Sequence, residues 1–370
     1  MTVHELPVIT VRGGPAEQGA AFGEEARARI SLAIERWCND VAGHGLEPAV
    51  WAGELTGRSG YLENLERHGG RFLRFLDGVA EGSGQPRMLL LAFNMMDEDW
   101  EWRRSRRSGE DQPAGAERCT TLAGPTSEGM LAAQNMDIQS WTEGLQTLLK
   151  IESGGPSGDI YFACAGPAPT CGINSAGIGM LLNTVSQLTP DPVGLPVCAT
   201  QFELLHQASL ADCSSLLLRG PHSTGQTYTL LDGREILCYE CAADGAWSLA
   251  PQTASGLLLH TNHPLSGVRR RTDRAERELM SETPSTYRRL EQLKTLLGPA
   301  PDLSPEEVKA VLADREDPVW PISREGHADA DAIGYTCFSV IYEYGPADAL
   351  RLHIAPGPPS KTPYRTLRIR

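Results

Sequence analysis

The residues best suited to chemistry begin at the junction Glu117-Arg118-Cys119-Thr120-Thr121. A reactive cysteine is expected in a partly exposed, electrostatically tuned place rather than midway along an apolar strand. Cys119 stands where a polar stretch containing Gly, Pro and Ser gives way to β-type sequence. Alone, a cysteine at a strand start is structural more often than catalytic. Its companions shift that balance. Gln134-Asn135-Met136-Asp137 closes an apolar run that could pair beside the strand beginning at Cys119, and a carboxylate there is costly unless it has a partner. Much later, His260-Thr261-Asn262-His263 ends another apolar strand, where a side-chain amide is one way to build an oxyanion donor. Each has a plainer reading: Asp137 capping a turn, Asn262 satisfying backbone groups.

Other chemistry-bearing residues weigh less. Cys238-Tyr239-Glu240-Cys241 is a CxxC without a second pair, on an expected strand, and reads as structural rather than as zinc. His260 and His263 on an extended segment point to opposite faces and cannot easily share a metal. Asp97-Glu98-Asp99 and the run Arg269 to Arg271 read as solvated charge. There is no Gly-rich phosphate loop, and Gly177-Ile178-Gly179 sits inside a strand pattern.

These residues must be positioned by elements whose order is legible. From Pro15 to about Leu76 apolar residues recur at helical spacing, with Phe22, Ala26, Ile30, Ala33, Ile34 and Trp37 as one stripe and Leu62, Leu65, Phe72 and Phe75 as another. Residues 88–96 form a short buried run of either type. Residues 97–118 are highly charged, lack periodicity and read as an exposed, mobile loop. Strands are expected at 129–137, 145–153, 159–165 and 177–185, then a helix at 199–219. A hairpin follows with Asp232-Gly233 at its turn. Another strand at 256–262 leads to charged helical sequence at 268–297. A further helix begins at Ser304, with Pro305 first inside and Glu307 reaching back. Strands at 336–344 and 349–355 end the reading. Strands that cluster instead of alternating with helices point to α+β layers, not to a doubly wound parallel sheet.

Composition excludes several classes of function. The 370-residue chain carries a formal charge of −14, which opposes sequence-independent binding to nucleic acid or anionic membrane. No stretch approaches the ~20 apolar residues needed to cross a bilayer. The N-terminus lacks a basic start followed by an apolar run. Nine scattered cysteines suit reduced thiols, and hence a cytoplasmic setting, better than a disulfide framework.

Taken in order, several segments resemble the acyl-coenzyme A:6-aminopenicillanic acid acyltransferase (isopenicillin N acyltransferase) family of N-terminal nucleophile hydrolases. They are the GGPAEQGAAFGEEARARI opening, CTT with AAQNMD, CGINSAGIGMLLNTV, HTNH, Ile322-Ser323-Arg324, TCFSVIYE and the late GPPS. The resemblance implies a four-layer α/β/β/α sandwich with Cys119 leading a central strand. It implies a zymogen that cuts itself between Arg118 and Cys119, leaving residues 1–118 as the smaller chain and 119–370 as the larger within one integrated domain. Cys119 would then be the nucleophile, Asp137 would orient its new α-amine, Asn262 would donate to the oxyanion and Arg324 would fix a substrate carbonyl or carboxylate. Asn135 and Thr120 would support the site and the substrate. No metal or cofactor is implied. The family often has Gly before the nucleophile, whereas Arg118 stands here.

The chemistry behind that arrangement is sound. A thiol near ~8.5 and an α-amine near ~8 are matched in pKa, so proton exchange between them is easy at neutral pH. An internal Cys119 has only an amide nitrogen, so cleavage is a chemical requirement. The expected activity is acyl transfer or amide hydrolysis through a thioester at Cys119. N-acyl amines, peptides and thioesters of acyl-coenzyme A or acyl carrier protein are the expected substrates. Two rivals stand beside it: an unprocessed thiol enzyme using a histidine such as His263 as base, and a non-catalytic binding protein on the same fold.

Overall fold

The computed structural model describes residues 5–58, 60–106, 119–266, 284–299, 303–326, 334–346 and 349–369. Arg118 and Arg269 to Arg271 lie outside the described residues.

Seven helices open the chain after one short strand, β1 (Val8–Val11). They are α1 (Pro15–Glu25), α2 (Arg27–Gly43), α3 (Pro48–Arg58), α4 (Tyr61–His68), α5 (Gly70–Ser83), α6 (Arg87–Asn94) and α7 (Met96–Arg106). The apolar stripe from Phe22 to Trp37 is buried as its spacing requires, although Ala26 breaks it into two helices. α1 and α5 approach so closely that a Cβ on Gly19 would fall 1.9 Å from the Phe75 carbonyl oxygen, and one on Gly78 2.0 Å from that of Ala16. Only glycine permits that backbone contact.

Two sheets follow. The larger has the order β1-β4-β5-β6-β7-β8-β9-β10 and contains β4 (Gln146–Glu152), β5 (Asp159–Ala165), β6 (Ala168–Asn174), β7 (Gly179–Thr184), β8 (Gln226–Leu231), β9 (Ile236–Ala242) and β10 (Gly245–Ser248). The smaller has the order β11-β2-β3-β12-β13-β14, from β2 (Thr120–Pro125), β3 (Met130–Gln139), β11 (Leu258–His260), β12 (Gly334–Tyr344), β13 (Leu350–Ala355) and β14 (Arg365–Ile369). Apart from β1 beside β4, the pairings are antiparallel. The sheets face each other through Gln134, whose Nε2 donates to the Leu182 carbonyl at 2.6 Å, and through Thr121, whose hydroxyl donates to Asn183 at 2.9 Å.

Helices cover both outer faces. α1–α7, with α8 (Val197–Leu204) and α9 (Leu210–Leu217), share one core with the larger sheet. On the smaller sheet, α10 (Pro284–Leu297) and α11 (Pro305–Leu312) seat Leu290, Leu293, Val308 and Leu312 against Leu122, Leu131 and Ile341. Each such side chain, fully buried, contributes roughly 1.5–3 kcal/mol. The molecule is therefore an α+β, four-layer α/β/β/α sandwich.

Several expectations need correction. Residues 97–118 are not a loop throughout: α7 runs to Arg106, and Glu98 and Asp99 are buried rather than solvated, with Asp97 half-buried. Each carboxylate meets donors that are remote in sequence, which local charge density does not reveal. The expected helix at 199–219 is two helices. The hairpin turn is centred one residue later than Asp232-Gly233: the Asp232 N–H donates to the Glu235 carbonyl, and the Asp232 carboxylate accepts from the N–H groups of Arg234 and Glu235. Strands β1, β6, β10 and β14 are additional to those expected. The strand led by Cys119 is interior but not central: among the described residues the short β11 alone lies beyond it. The start of α11 is as read, with Ser304 accepting from the Glu307 N–H at 3.3 Å and Glu307 accepting in return.

Candidate active site

Cys119 immediately precedes β2, which pairs antiparallel with β3 so that Thr120 faces Asn135 and Thr121 faces Gln134. Side chains alternate along both strands. Thr121 and Gln134 therefore point between the sheets, while Thr120 and Asn135 point to the helical layer. Cys119 itself is 5% exposed and lines a small cavity with Asp137, Leu182 and Thr184, closed on one side by Met96, Asp97 and Trp100 of α7. Its Sγ lies 4.0 Å from the Asp137 carbonyl oxygen. Burial, then the nearby Asp137 charge, push the thiol well above its ordinary range, while Arg289 pulls it down.

Arg289 is the residue that the sequence does not announce. It sits on α10 with no exposed surface. Its Nη1 donates to the Cys119 carbonyl at 2.6 Å and to the Thr120 hydroxyl at 2.9 Å. Its Nη2 donates to Asn262 Oδ1 at 2.9 Å, and its Nε to Ser285 at 3.2 Å. One planar fork thus joins the cysteine backbone to the strand-end amide, a geometry that a lysine point charge cannot copy. The Asn262 amide orientation follows from its partners: Oδ1 faces a donor-only guanidinium, and Nδ2 donates to the Thr184 carbonyl at 2.9 Å. The only sequence signal for Arg289 is a basic residue beside the apolar side of a charged helix.

A second group forms around Asp137. Asp137 and Thr336 are opposite each other on β3 and β12. The Thr336 hydroxyl donates to Asp137 Oδ1 at 2.7 Å and accepts from the Arg324 N–H at 2.9 Å. Arg324 is fully buried, and a Cβ on Gly334 would fall 2.4 Å from its Nε, so a glycine is needed there. Asn135 donates from Nδ2 to the Leu312 and Ile322 carbonyls at 2.8 and 2.9 Å and accepts from Ser339 at 2.6 Å. It thereby ties down the segment that carries Arg324. The structure brings Cys119, Thr120 and Asn262 onto one guanidinium and links Asp137 to Arg324 through Thr336. Arg324 is not part of the described wall of the Cys119 cavity.

The remaining candidates sort cleanly. His260 Nδ1 faces the Thr261 carbonyl at 2.7 Å, while Nε2 faces Glu240 at 3.0 Å and Thr227 at 3.1 Å. Burial would raise the Glu240 carboxyl, but His260, Ser266 and the Leu265 N–H hold it below its ordinary value. His263 is bonded to Thr286 at 2.8 Å and stacked on Tyr287. No histidine lines the described Cys119 cavity. Cys238 and Cys241 are buried thiols on β9, and among the described residues no group of three or more His, Cys, Asp or Glu side chains could hold a metal. No described helix is long and apolar enough to cross a membrane.

Residues 125–349 match the family model for acyl-coenzyme A:6-aminopenicillanic acid acyl-transferase, a stretch that begins after Cys119 and contains Asp137, Asn262, Arg289 and Arg324. The chain belongs to this family. That membership places it in a family named for acyl transfer. No curated protein matches the chain. Among solved structures it is similar to penicillin V acylase from Agrobacterium tumefaciens, at 13% identity and TM-score 0.37, over 64% of this chain and 83% of that one. It is also similar to a mutant of conjugated bile acid hydrolase from Clostridium perfringens, at 14% identity and TM-score 0.41, over 68% of this chain and 92% of that one. Likenesses this distant carry no weight for the activity.

Proposed function

We propose that this protein is a self-processing cysteine enzyme that transfers or hydrolyses an acyl group through a thioester at Cys119. The observation that carries the reading is the single buried guanidinium of Arg289, which joins the carbonyl of Cys119, itself part of the cavity wall, to the Asn262 amide. The thiol is held protonated by burial, so it needs a base, and no histidine lines the described cavity to serve as one. Cutting the Arg118–Cys119 bond would free an α-amine of matched pKa at fixed short range. Residues 1–118 then form the smaller chain and 119–370 the larger, both within one domain.

In this mechanism the Cys119 Sγ attacks the substrate carbonyl while the α-amine takes its proton. Asp137, oriented by Thr336 and backed by Arg324, holds that amine. Asn262 donates to the oxyanion, and Thr120 and Asn135 keep the two strands and the Arg324 segment in place. Collapse of the tetrahedral intermediate expels an amine or thiol, and water or an amine then takes the acyl group from sulfur. The family name supports acyl-coenzyme A as donor and an amine as acceptor, an N-acyl amine being the donor in the hydrolytic direction, and no cofactor takes part in the steps described.

Intact mass and N-terminal sequencing of freshly purified protein test the reading. Two fragments divided before Cys119, absent in Cys119→Ala, are expected alongside acyl-hydrolase activity. An intact chain that still hydrolyses acyl substrates would overturn self-processing, and an intact chain with an unreactive Cys119 would leave a binding protein on this fold.

A further inference from the structure

The cavity at Cys119 has a volume of 50 Å³. Pockets for drug-sized ligands run to ~300–1,000 Å³, and a cavity of ~150 Å³ is what holds a benzene. Its wall is largely apolar, with Met136, Leu182 and Val197 contributed by the larger chain. The opposite side is closed by Met96 and Trp100, four residues apart on α7 and hence on one helix face. Met96 is buried and Trp100 half-buried, so the indole reaches from the cavity wall towards solvent. α7 in turn is anchored and not free to swing. Glu98 accepts from the Val197 N–H at 2.8 Å and from Ser223 at 2.5 Å, and Asp99 accepts from Trp51 at 2.6 Å.

From this geometry we infer that the enzyme selects short apolar acyl groups, of about four carbons or fewer, and that Met96 and Trp100 of the smaller chain set the limit. The inference rests on Cys119 being the nucleophile. A rigid wall one methylene too close forces neighbouring side chains off their rotamers, so discrimination against longer chains is steep. The smaller chain is therefore more than a removed propeptide: it supplies the floor of the specificity pocket after cleavage.

The test uses alkyl chloromethyl ketones, R–CO–CH₂Cl, with R from methyl to heptyl. The Cys119 sulfur displaces chloride and forms a thioether, which intact mass and peptide mapping locate and time. Each rate is divided by that of the same reagent with glutathione. In the wild-type protein the short reagents are expected to label Cys119 at least about ten-fold faster than hexyl and heptyl. Trp100→Ala opens the wall and is expected to move the optimum to longer chains, and Met96→Ala provides the same readout should the first variant fold poorly. A flat profile, or a long-chain optimum in the wild type, overturns the inference and leaves the nucleophile standing. A short-chain optimum that neither variant moves removes Met96 and Trp100 from the role. Absence of labelling at Cys119 with every reagent overturns the nucleophile reading itself, and this inference with it.

Discussion

Replacing Arg289 with Met removes the group on which the site is built while keeping a long apolar stem. Three acceptors within 3 Å lose their donor: the Cys119 carbonyl, the Thr120 hydroxyl and Asn262 Oδ1. A buried acceptor left unsatisfied costs ~1–3 kcal/mol, which summed over three would reach ~3–9 kcal/mol. Removing a buried cation relieves its own desolvation, and that offsets part of the loss. A net destabilisation of about 3–5 kcal/mol is therefore expected, read from the denaturant midpoint with an unchanged slope. Catalysis should suffer separately. With Oδ1 released, the Asn262 amide is held only through its Nδ2 bond to the Thr184 carbonyl and is positioned less firmly, and loss of one oxyanion donor lowers kcat by roughly 10²–10³. The loss should fall on kcat, with KM changed less, because the oxyanion exists only past the ground state. Arg289→Lys restores charge but not the fork, so it should recover stability in part and kcat little. A measurement of wild-type kcat in Arg289→Met at a temperature where the variant remains folded would refute the reasoning. So would a loss confined to KM.

Three further outcomes follow from the same contacts. Glu98 is buried and its carboxyl is raised to about 7, chiefly by desolvation and then by the neighbouring Asp97 charge. The folded state then holds a proton that the unfolded state releases near its ordinary value. The contribution is present at acid pH and is lost as pH rises through about 7, so Glu98→Gln should flatten the fall in melting temperature between about pH 4.5 and 7.5. Gly334→Ala puts a methyl group against the Arg324 guanidinium and should destabilise by ~1–3 kcal/mol while lowering activity, measured by thermal melt and turnover. Once cut before Cys119, the two chains should still co-elute in native gel filtration and separate only under denaturation. Arg36 donates to the Trp141 and Glu143 carbonyls, β1 remains paired with β4, and Glu98 is bonded to Val197 and Ser223.

Reading the chain without its fold reaches some features and misses others for identifiable reasons. The amphipathic stripe from Phe22 to Trp37, the capping box at Ser304 and the strands around Asp159–Ala165 are local, because periodicity and end signals are written in consecutive residues. Cys119, Asp137 and Asn262 stand out for a related reason: polar or reactive groups at the ends of apolar runs are costly unless used. The family order of these segments then carries the layers and the class of chemistry. Arg289 cannot be found that way. Its meaning lies in partners 170, 169 and 27 residues distant, which only the packing of α10 on the smaller sheet brings within reach.

The acidic run of α7 misleads for the converse reason. Its charge is local, but the donors that make it buriable, Thr184, Val197, Ser223 and Gln226, come from the larger sheet, the segment before β8 and the start of α8. The alternation and composition of this sequence determine that it folds into helices and clustered strands, and they mark the groups proposed to do acyl chemistry. Tertiary structure decides which of them meet, because a buried charge or amide is tolerable only where distant segments supply its partners.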